Sequence, residues 1–224
     1  MNFCQIDELV SKVGLFDFIL ADLGVSSMQI DNPERGFTYK SDGPLDLRLN
    51  PTVGLSAAER LKTISRDELE GMLIENSDEP YAGEISKQIV NDLKRGMRID
   101  TTLALLYEID KALLRIKFPK DTRKDAVKKS AARVFQALRI DINREYEALY
   151  DFMEKLPNAL VSSGRVAILT FHSGEDRIVK GAFKAFKRLG IYREISSEVI
   201  RPSREECYNN SRSHSTKLRW AIRA

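Results

Sequence analysis

The sequence predicts an α/β domain interrupted by an all-helical insert, and three observations carry that expectation. Two mainly apolar runs of strand length, residues 16–21 and 165–171, stand far apart in the chain. Between Ser56 and about Lys129, every patterned stretch repeats with the helical period. The C-terminal part, 192–224, reads as two strands around a polar loop.

The run FDFILA at 16–21 is expected to be a strand buried on both faces of a parallel sheet. Asp22 follows at its carboxyl end, where open α/β sheets bind ligands. From there the chain is expected to run to Pro51 without a helix or a second strand, and loops of that length inside a domain are usually functional. The run RVAILTF at 165–171 is the second strand. A helix follows it, with Ser173 as N-cap, Glu175 and Asp176 in the first turn, and Ile178, Val179, Ala182, Phe183 and Phe186 on the apolar face.

In the middle, two short helices open on Ser56 and Ser65, the latter with Glu68 at capping-box spacing. A third carries Ile85, Ile89, Val90 and Leu93 on one stripe and stops at Gly96, and TTLALLYEIDKALLRI is a fourth. The charged stretch KFPKDTRKDAVKKS is expected to be a mobile loop. A long helix from Ala131 to about Leu160 returns the chain to the sheet. Residues 192–200 and 217–223 then pair as an antiparallel hairpin at the sheet edge. The expected boundaries are 1–55 and 131–224 for the α/β core and 56–130 for the insert. Parallel strands closed by an antiparallel hairpin suggest the class I methyltransferase variant of the Rossmann-like fold, a suggestion from topology alone.

Composition narrows the class. A chain of 224 residues that is 42% hydrophobic and 31% charged reads as globular, and no apolar run approaches membrane-spanning length. The first ten residues lack the basic flank and apolar core of a signal peptide. Cys4 and Cys207 lie far apart without metal-type partners, which fits a reduced, cytoplasmic protein without structural zinc. The net charge is +3, but Arg201, Arg204, Arg212, Lys217, Arg219 and Arg223 face only Glu205 and Glu206 in the last segment. Such a tail suits a polyanion such as RNA, or guards an edge strand.

Several residues are candidates for chemistry. Asp22 can receive a ligand's polar groups, with Gly24 allowing close backbone approach and Ser26 and Ser27 adding small polar groups; alternatively Asp22 caps a turn. In DGPLDLRL, Leu45, Leu47 and Leu49 alternate with Asp46 and Arg48, which suits a loop pinned by leucines. The other reading is an internal ion pair between Asp46 and Arg48. His172, at the end of the second strand, is either a proton acceptor or RNA contact or, the favoured reading, a hydrogen-bonded structural residue. No G-x-G pair and no G-K-[ST] occurs, so dinucleotide fingerprint, glycine-rich methyltransferase loop and P-loop are all lacking. Neither cysteine follows a strand-ending proline, which argues against covalent attack on a pyrimidine.

The segments ADLGVSSMQIDNPERGFTYKSDGPLDLRL, ARVFQALRIDIN, LTFHSGEDRIVK and SRSHSTKLR resemble, in the same order, one family over nearly the whole chain. It is the RsmH (MraW) family of S-adenosylmethionine-dependent methyltransferases acting on N4 of a cytidine in small-subunit ribosomal RNA. The resemblance implies S-adenosyl-L-methionine as cofactor, held by residues matching Phe3, Asp22 and Gln29. It implies small-subunit ribosomal RNA, or the assembled subunit, as partner, with Arg35, Arg48, Arg139, Arg212, Lys217 and Arg219 as candidate RNA contacts. Candidates for the catalytic groups are Ser26, Ser27, Asp46 and His172. The family's glycine-rich loop and histidine, which cradle the methionine end of the cofactor, match nothing here, so the chain resembles the family without its first third or quarter. Lys129 and Ser130 replace a histidine-proline, Gly174 stands where leucine is usual, and His214 where arginine is common. A sheet lacking its first strand exposes an edge, which favours self-association as a homodimer. The competing expectation is a catalytically silent RNA- or ribosome-binding module, a fragment or a paralogue of that enzyme.

Overall fold

The computed structural model describes residues 1–224. In chain order its helices and strands are α1 (Ile6–Val13), β1 (Phe16–Asp22), α2 (Ser27–Asp31), α3 (Ala57–Thr63), α4 (Arg66–Ser77), α5 (Ala82–Lys94) and α6 (Thr102–Ala112). There follow α7 (Arg123–Asn143), α8 (Glu145–Lys155), β2 (Leu160–Thr170), α9 (Ser173–Arg188), β3 (Tyr192–Ile195), α10 (Arg204–Asn209) and β4 (Lys217–Arg223). The chain forms two compact units: Met1–Gly24 with Tyr146–Ala224, and Val25–Glu145.

The first unit is a mixed α/β layer. Its sheet has the order β1-β2-β4-β3, with β1 parallel to β2 and β4 antiparallel to both β2 and β3. Val166, Ile168, Ala221 and Tyr192 of the sheet pack with Leu149, Phe152 and Met153 of α8 and with Ile178, Val179 and Phe183 of α9. The apolar face expected for α9 is therefore the buried one. Its N-cap is His172 rather than Ser173: the His172 ring accepts from the Glu175 backbone N–H, which moves the helix start one residue back. The C-terminal strands pair antiparallel as expected. However, β3 ends at Ile195 and Ile200 rejoins β4 only as an isolated bridge to Leu218.

β1 departs from the expectation of burial on both faces. It forms the edge of the sheet, Ile19 and Ala21 are half-buried, and Phe18 and Leu20 remain 57% and 58% exposed. Apolar composition reports that a strand can be buried; burial itself depends on what packs on each face, and nothing covers Phe18 and Leu20. The β1–β2 ladder is irregular at its start. Phe16 pairs with Leu160 and Phe18 with Arg165, so β2 bulges at Ser163, which has a φ of 65°, and at Gly164. A Cβ on Gly164 would stand 2.8 Å from the Val161 carbonyl oxygen and 3.0 Å from that of Phe16, so only glycine fits the bulge.

The second unit holds its helices around Leu61, Leu69, Leu73, Ile85, Ile89, Leu105, Ile109, Val134 and Leu138. Ser56 and Ser65 cap α3 and α4 as expected. The complete capping box belongs to Ser56 and Glu59, because Glu68 turns its carboxylate to Arg60 at 2.5 Å. Part of the expected mobile loop is helix: α7 starts at Arg123, whose guanidinium donates to the Asp110 carboxylate at 2.7 Å. The long helix expected to start at Ala131 is broken. Arg144 takes a left-handed conformation with φ of 51° and ends α7, after which α8 begins.

The stretch expected to be without regular structure after Asp22 contains α2 and a 3-10 turn at Pro33–Arg35. Ser26 and Gln29 form a reciprocal capping box that starts α2, and the Asn32 side chain caps the turn, with Pro33 at its first position. Leu45 and Leu47 pin this segment to the helical core, each 1% exposed, whereas Leu49 is 37% exposed and pins nothing. Two glycines let the chain cross itself. A Cβ on Gly36 would stand 2.4 Å from the Pro44 carbonyl oxygen, and one on Gly43 2.2 Å from that of Pro33.

Candidate functional site

The carboxyl ends of β1 and β2 lie side by side, with Asp22 opposite Leu169 and the Leu23 N–H donating to the Leu169 carbonyl at 3.2 Å. Gly24 follows with φ of 89°, and the Phe171 ring stands 3.3 Å from where its Cβ would be. The chain can therefore turn sharply at the strand end and still pack against an aromatic ring. The Asp22 carboxylate is exposed and makes no hydrogen bond or ion pair, so it caps no turn.

Asp22 stands on a groove of about 460 Å³ that is also lined by Phe3, Ile6, Leu20, Leu23 and Phe152. Phe3 is fixed there by a 3-10 turn capped through Asn2 and Gln5, and it meets Phe152 edge-on, with ring centroids 5.3 Å apart at 88°. An apolar, partly aromatic wall with one uncommitted carboxylate suits a ligand that combines a flat, weakly polar body with hydroxyl or amine donors. The adenosine part of S-adenosylmethionine has that chemistry, so the residues present fit it.

In the same unit, α9 begins beside the end of β2. His172 Nδ1 accepts from the Glu175 N–H at 3.4 Å, while Nε2 lies 3.2 Å from a Glu175 carboxylate oxygen but out of line for a hydrogen bond. The other Glu175 oxygen accepts from the Phe171 N–H at 2.8 Å, so histidine and glutamate together fix the strand-to-helix junction. One turn on, Asp176 accepts from Arg219 at 2.7 and 3.3 Å and stands 3.7 Å from the Lys217 ammonium. Burial raises the Asp176 carboxyl, but the Arg219 hydrogen bonds and the charges of Arg219 and Lys217 outweigh it and hold it below the usual carboxylate range. Arg219 is buried and Lys217 is half-buried, whereas Arg212 is exposed on the turn before β4. Lys217 pairs with Asp176 rather than with Glu205 or Glu206.

In the second unit, Ser26 Oγ and the Gln29 amide oxygen are both used in the cap of α2. Ser27, in the first turn of α2, is exposed and its hydroxyl makes no hydrogen bond. Arg48 donates to both Asp46 oxygens, at 2.6 and 3.0 Å, so the internal ion pair is the arrangement found. Burial raises the Asp46 carboxyl, but the Arg48 hydrogen bonds and charge lower it further, to a net value below normal. Arg35 folds the loop by donating to the carbonyls of Arg48 at 2.7 Å and Leu49 at 3.0 Å. Arg139 is clasped by Glu145 at 2.8 and 2.9 Å.

Of the residues singled out for cofactor, Phe3 and Asp22 thus share one groove, while Gln29 is engaged in its own helix cap. Of the cations singled out for RNA, Arg35, Arg48, Arg139, Lys217 and Arg219 spend charge or donors on the partners just named, each within its own unit. Two residues of this region carry no sequence signal. Phe152 looks like any apolar residue of an amphipathic helix, and Phe171 becomes a neighbour of Gly24 only through the strand register.

A parallel strand pair extended by antiparallel strands, with a free carboxylate and an aromatic groove at the strand ends, is consistent with a methyltransferase fold. The whole chain, residues 1–224, matches the model of the MraW methylase family, and the chain belongs to that family. It is 66% identical over 224 residues to "Ribosomal RNA small subunit methyltransferase H 1" of Lachnoclostridium phytofermentans, covering 100% of this chain and 61% of that protein. It is 62% identical to the protein of the same name from Agathobacter rectalis, covering 100% of this chain and 63% of that one. It is 41% identical over 204 residues to "Ribosomal RNA small subunit methyltransferase H" of Prochlorococcus marinus subsp. pastoris, covering 91% and 65%. The chain therefore spans less than two thirds of the length of these curated relatives. No helix is long and apolar enough to cross a membrane.

Proposed function

We propose that the chain takes part in S-adenosylmethionine-dependent methylation of the N4 amine of a cytidine in small-subunit ribosomal RNA. The observation that best supports this is the uncommitted Asp22 carboxylate beside Phe3 in an apolar groove at the end of β1. When bound, the cofactor supplies an electrophilic methyl group. Phe3 and Phe152 offer the nucleoside an apolar, aromatic wall, and Asp22 accepts hydrogen bonds from its donors. The resemblance assigns Gln29 to the cofactor as well; its amide oxygen is held by the cap of α2, which leaves its amide NH2 to donate.

The N4 lone pair of cytosine is delocalised into the ring, so the amine is a weak nucleophile. The protein's task is to hold the amine in line, accept its hydrogen bonds and exclude water, with the base splayed from its stack. Among the candidate groups, Ser27 is the one whose hydroxyl is free to accept from an amine. Ser26 caps α2, Asp46 neutralises Arg48, and His172 caps α9; each shapes its surroundings. We read 56–130 as a helical insert in a core made of 1–55 and 131–224, with residues 25–55 and 131–145 packing with the insert in one compact unit.

The test is transfer of a radiolabelled methyl group to small-subunit ribosomal RNA, followed by digestion to nucleosides. Label is expected in N4-methylcytidine. Label in another nucleoside contradicts the N4 assignment, and absence of label with cofactor and RNA both bound points to a silent binding module.

A further inference from the structure

We infer that the segment between β3 and β4 carries a nucleobase-stacking site for single-stranded RNA, built on Tyr208 and His214; this rests on the RNA partner proposed above. Tyr208 is 90% exposed, more than any other large apolar or aromatic side chain of the protein. It does not stand alone. Pro202, Ser203, Arg204, Cys207, Tyr208 and His214 line one groove of about 510 Å³.

Local chemistry builds this groove. Ser203 caps α10 by accepting from the Glu206 N–H at 3.0 Å, and a 3-10 turn, Ser211–Ser215, follows the helix. Ser213 is buried; its hydroxyl donates to the Asn210 carbonyl at 2.8 Å and lies 3.7 Å from Cys207 Sγ. That contact ties the turn to the helix and keeps His214 on the same groove as Tyr208.

Charge is sorted by helix face. Arg204, Cys207 and Tyr208 are spaced at i, i+3 and i+4, so they share the groove face. Glu205 and Glu206 fall outside the lining. A cation therefore flanks an exposed aromatic ring, and the exposed Arg201 and Arg212 lie on the chain to either side. Aromatic rings interleaved with arginines match the alternation of bases and phosphates along a single strand, where rings stack on bases and cations hold the backbone. Stacking engages any base, so the site is expected to tolerate sequence. A duplex, with its bases stacked inward, offers the arginines its phosphates but gives the Tyr208 ring no base to stack on.

Fluorescence anisotropy of the full chain with a fluorescein-labelled 12-nucleotide single-stranded RNA tests this. Stacking on one aromatic ring predicts that Tyr208→Ala weakens binding about tenfold, with an unchanged melting temperature, and that Tyr208→Phe stays within about twofold of wild type. An abasic oligomer of the same length should bind wild type and Tyr208→Ala equally. Unchanged affinity of Tyr208→Ala where wild type binds overturns the stacking site and leaves the RNA partner standing, whether or not the same variant loses binding to a ribosomal protein. An equal loss on the abasic oligomer also overturns it. Failure of wild type to bind any RNA at low salt overturns the RNA partner along with the site.

Discussion

A Cβ on Gly174 would stand 1.8 Å from the Tyr146 hydroxyl, so the tyrosine occupies the space that any larger residue at 174 would need. Gly174 lies in the first turn of α9, where the family resemblance has leucine. Replacing a helical glycine normally gains up to about 1 kcal/mol from helix propensity, whereas overpacking costs about 1–3 kcal/mol. The clash should win. Gly174→Leu is expected to lower stability in denaturant melts, and Gly174→Leu with Tyr146→Ala should be more stable than the sum of the single changes by about 1 kcal/mol or more. Additive effects would mean that the two positions do not compete for the same space.

The crossing of the loop at Gly36 and Gly43 makes a second prediction. At Gly43 a methyl group would meet a backbone carbonyl, which cannot swing aside as a flexible side chain can. Gly43→Ala should therefore displace the chain around Pro33 and lose about 2 kcal/mol or more, at the upper end of ordinary single substitutions. Hydrogen exchange should show the loss of protection concentrated at Leu45 and Leu47, whose N–H groups donate to Asp100 and Arg35. A variant with wild-type stability and protection would contradict the crossing.

The Asp176–Arg219 pair gives the protein a defined acid sensitivity. The folded carboxyl titrates below its ordinary value, so its contribution is complete above about pH 4 and is lost as the pH falls through the lower folded value. The melting temperature of wild type should fall across that acid window, and that of Asp176→Asn should fall less. At neutral pH, Asp176→Ala should cost about 3 kcal/mol, because it strands the buried Arg219 guanidinium. Parallel pH profiles for wild type and Asp176→Asn would show that the pair carries no charge-linked stability.

Signals that act over three or four residues are legible in the sequence itself. Ser56 and Ser65 are short hydroxyl side chains placed just before helical periodicity, and both cap helices. Ile85 and Ile89 fall on one stripe, and both are fully buried. What the sequence conceals depends on distant partners or on rare backbone states. Nothing in an arginine at position 144 announces a left-handed φ, so the break between α7 and α8 has no sequence signature. The exposure of Phe18 and Leu20 follows from the face of β1 they share, which no helix covers, whereas Ile19 and Ala21 on the other face pack on the core; composition does not encode which face is covered. At the candidate site, the position of Asp22 after a strand points to the ligand end of the sheet, whereas the groove wall from Phe152 needs the packing of α8. The closeness of Asp46 and Arg48 in sequence does not tell an internal ion pair from two residues facing away from the leucines, and the fork of two hydrogen bonds decides it for the pair.

The most direct measurement is calorimetric titration of the 224-residue chain and its Asp22→Ala variant with S-adenosylmethionine. Loss of hydrogen bonds from a carboxylate costs about 1.5–3 kcal/mol, a weakening of roughly ten- to a hundredfold. Saturable binding to wild type is expected, with that loss in Asp22→Ala and the same melting temperature for both proteins without ligand. Equal affinity of the two proteins, or no heat of binding to a folded wild type, would contradict the assignment of the Phe3–Asp22 groove to the cofactor.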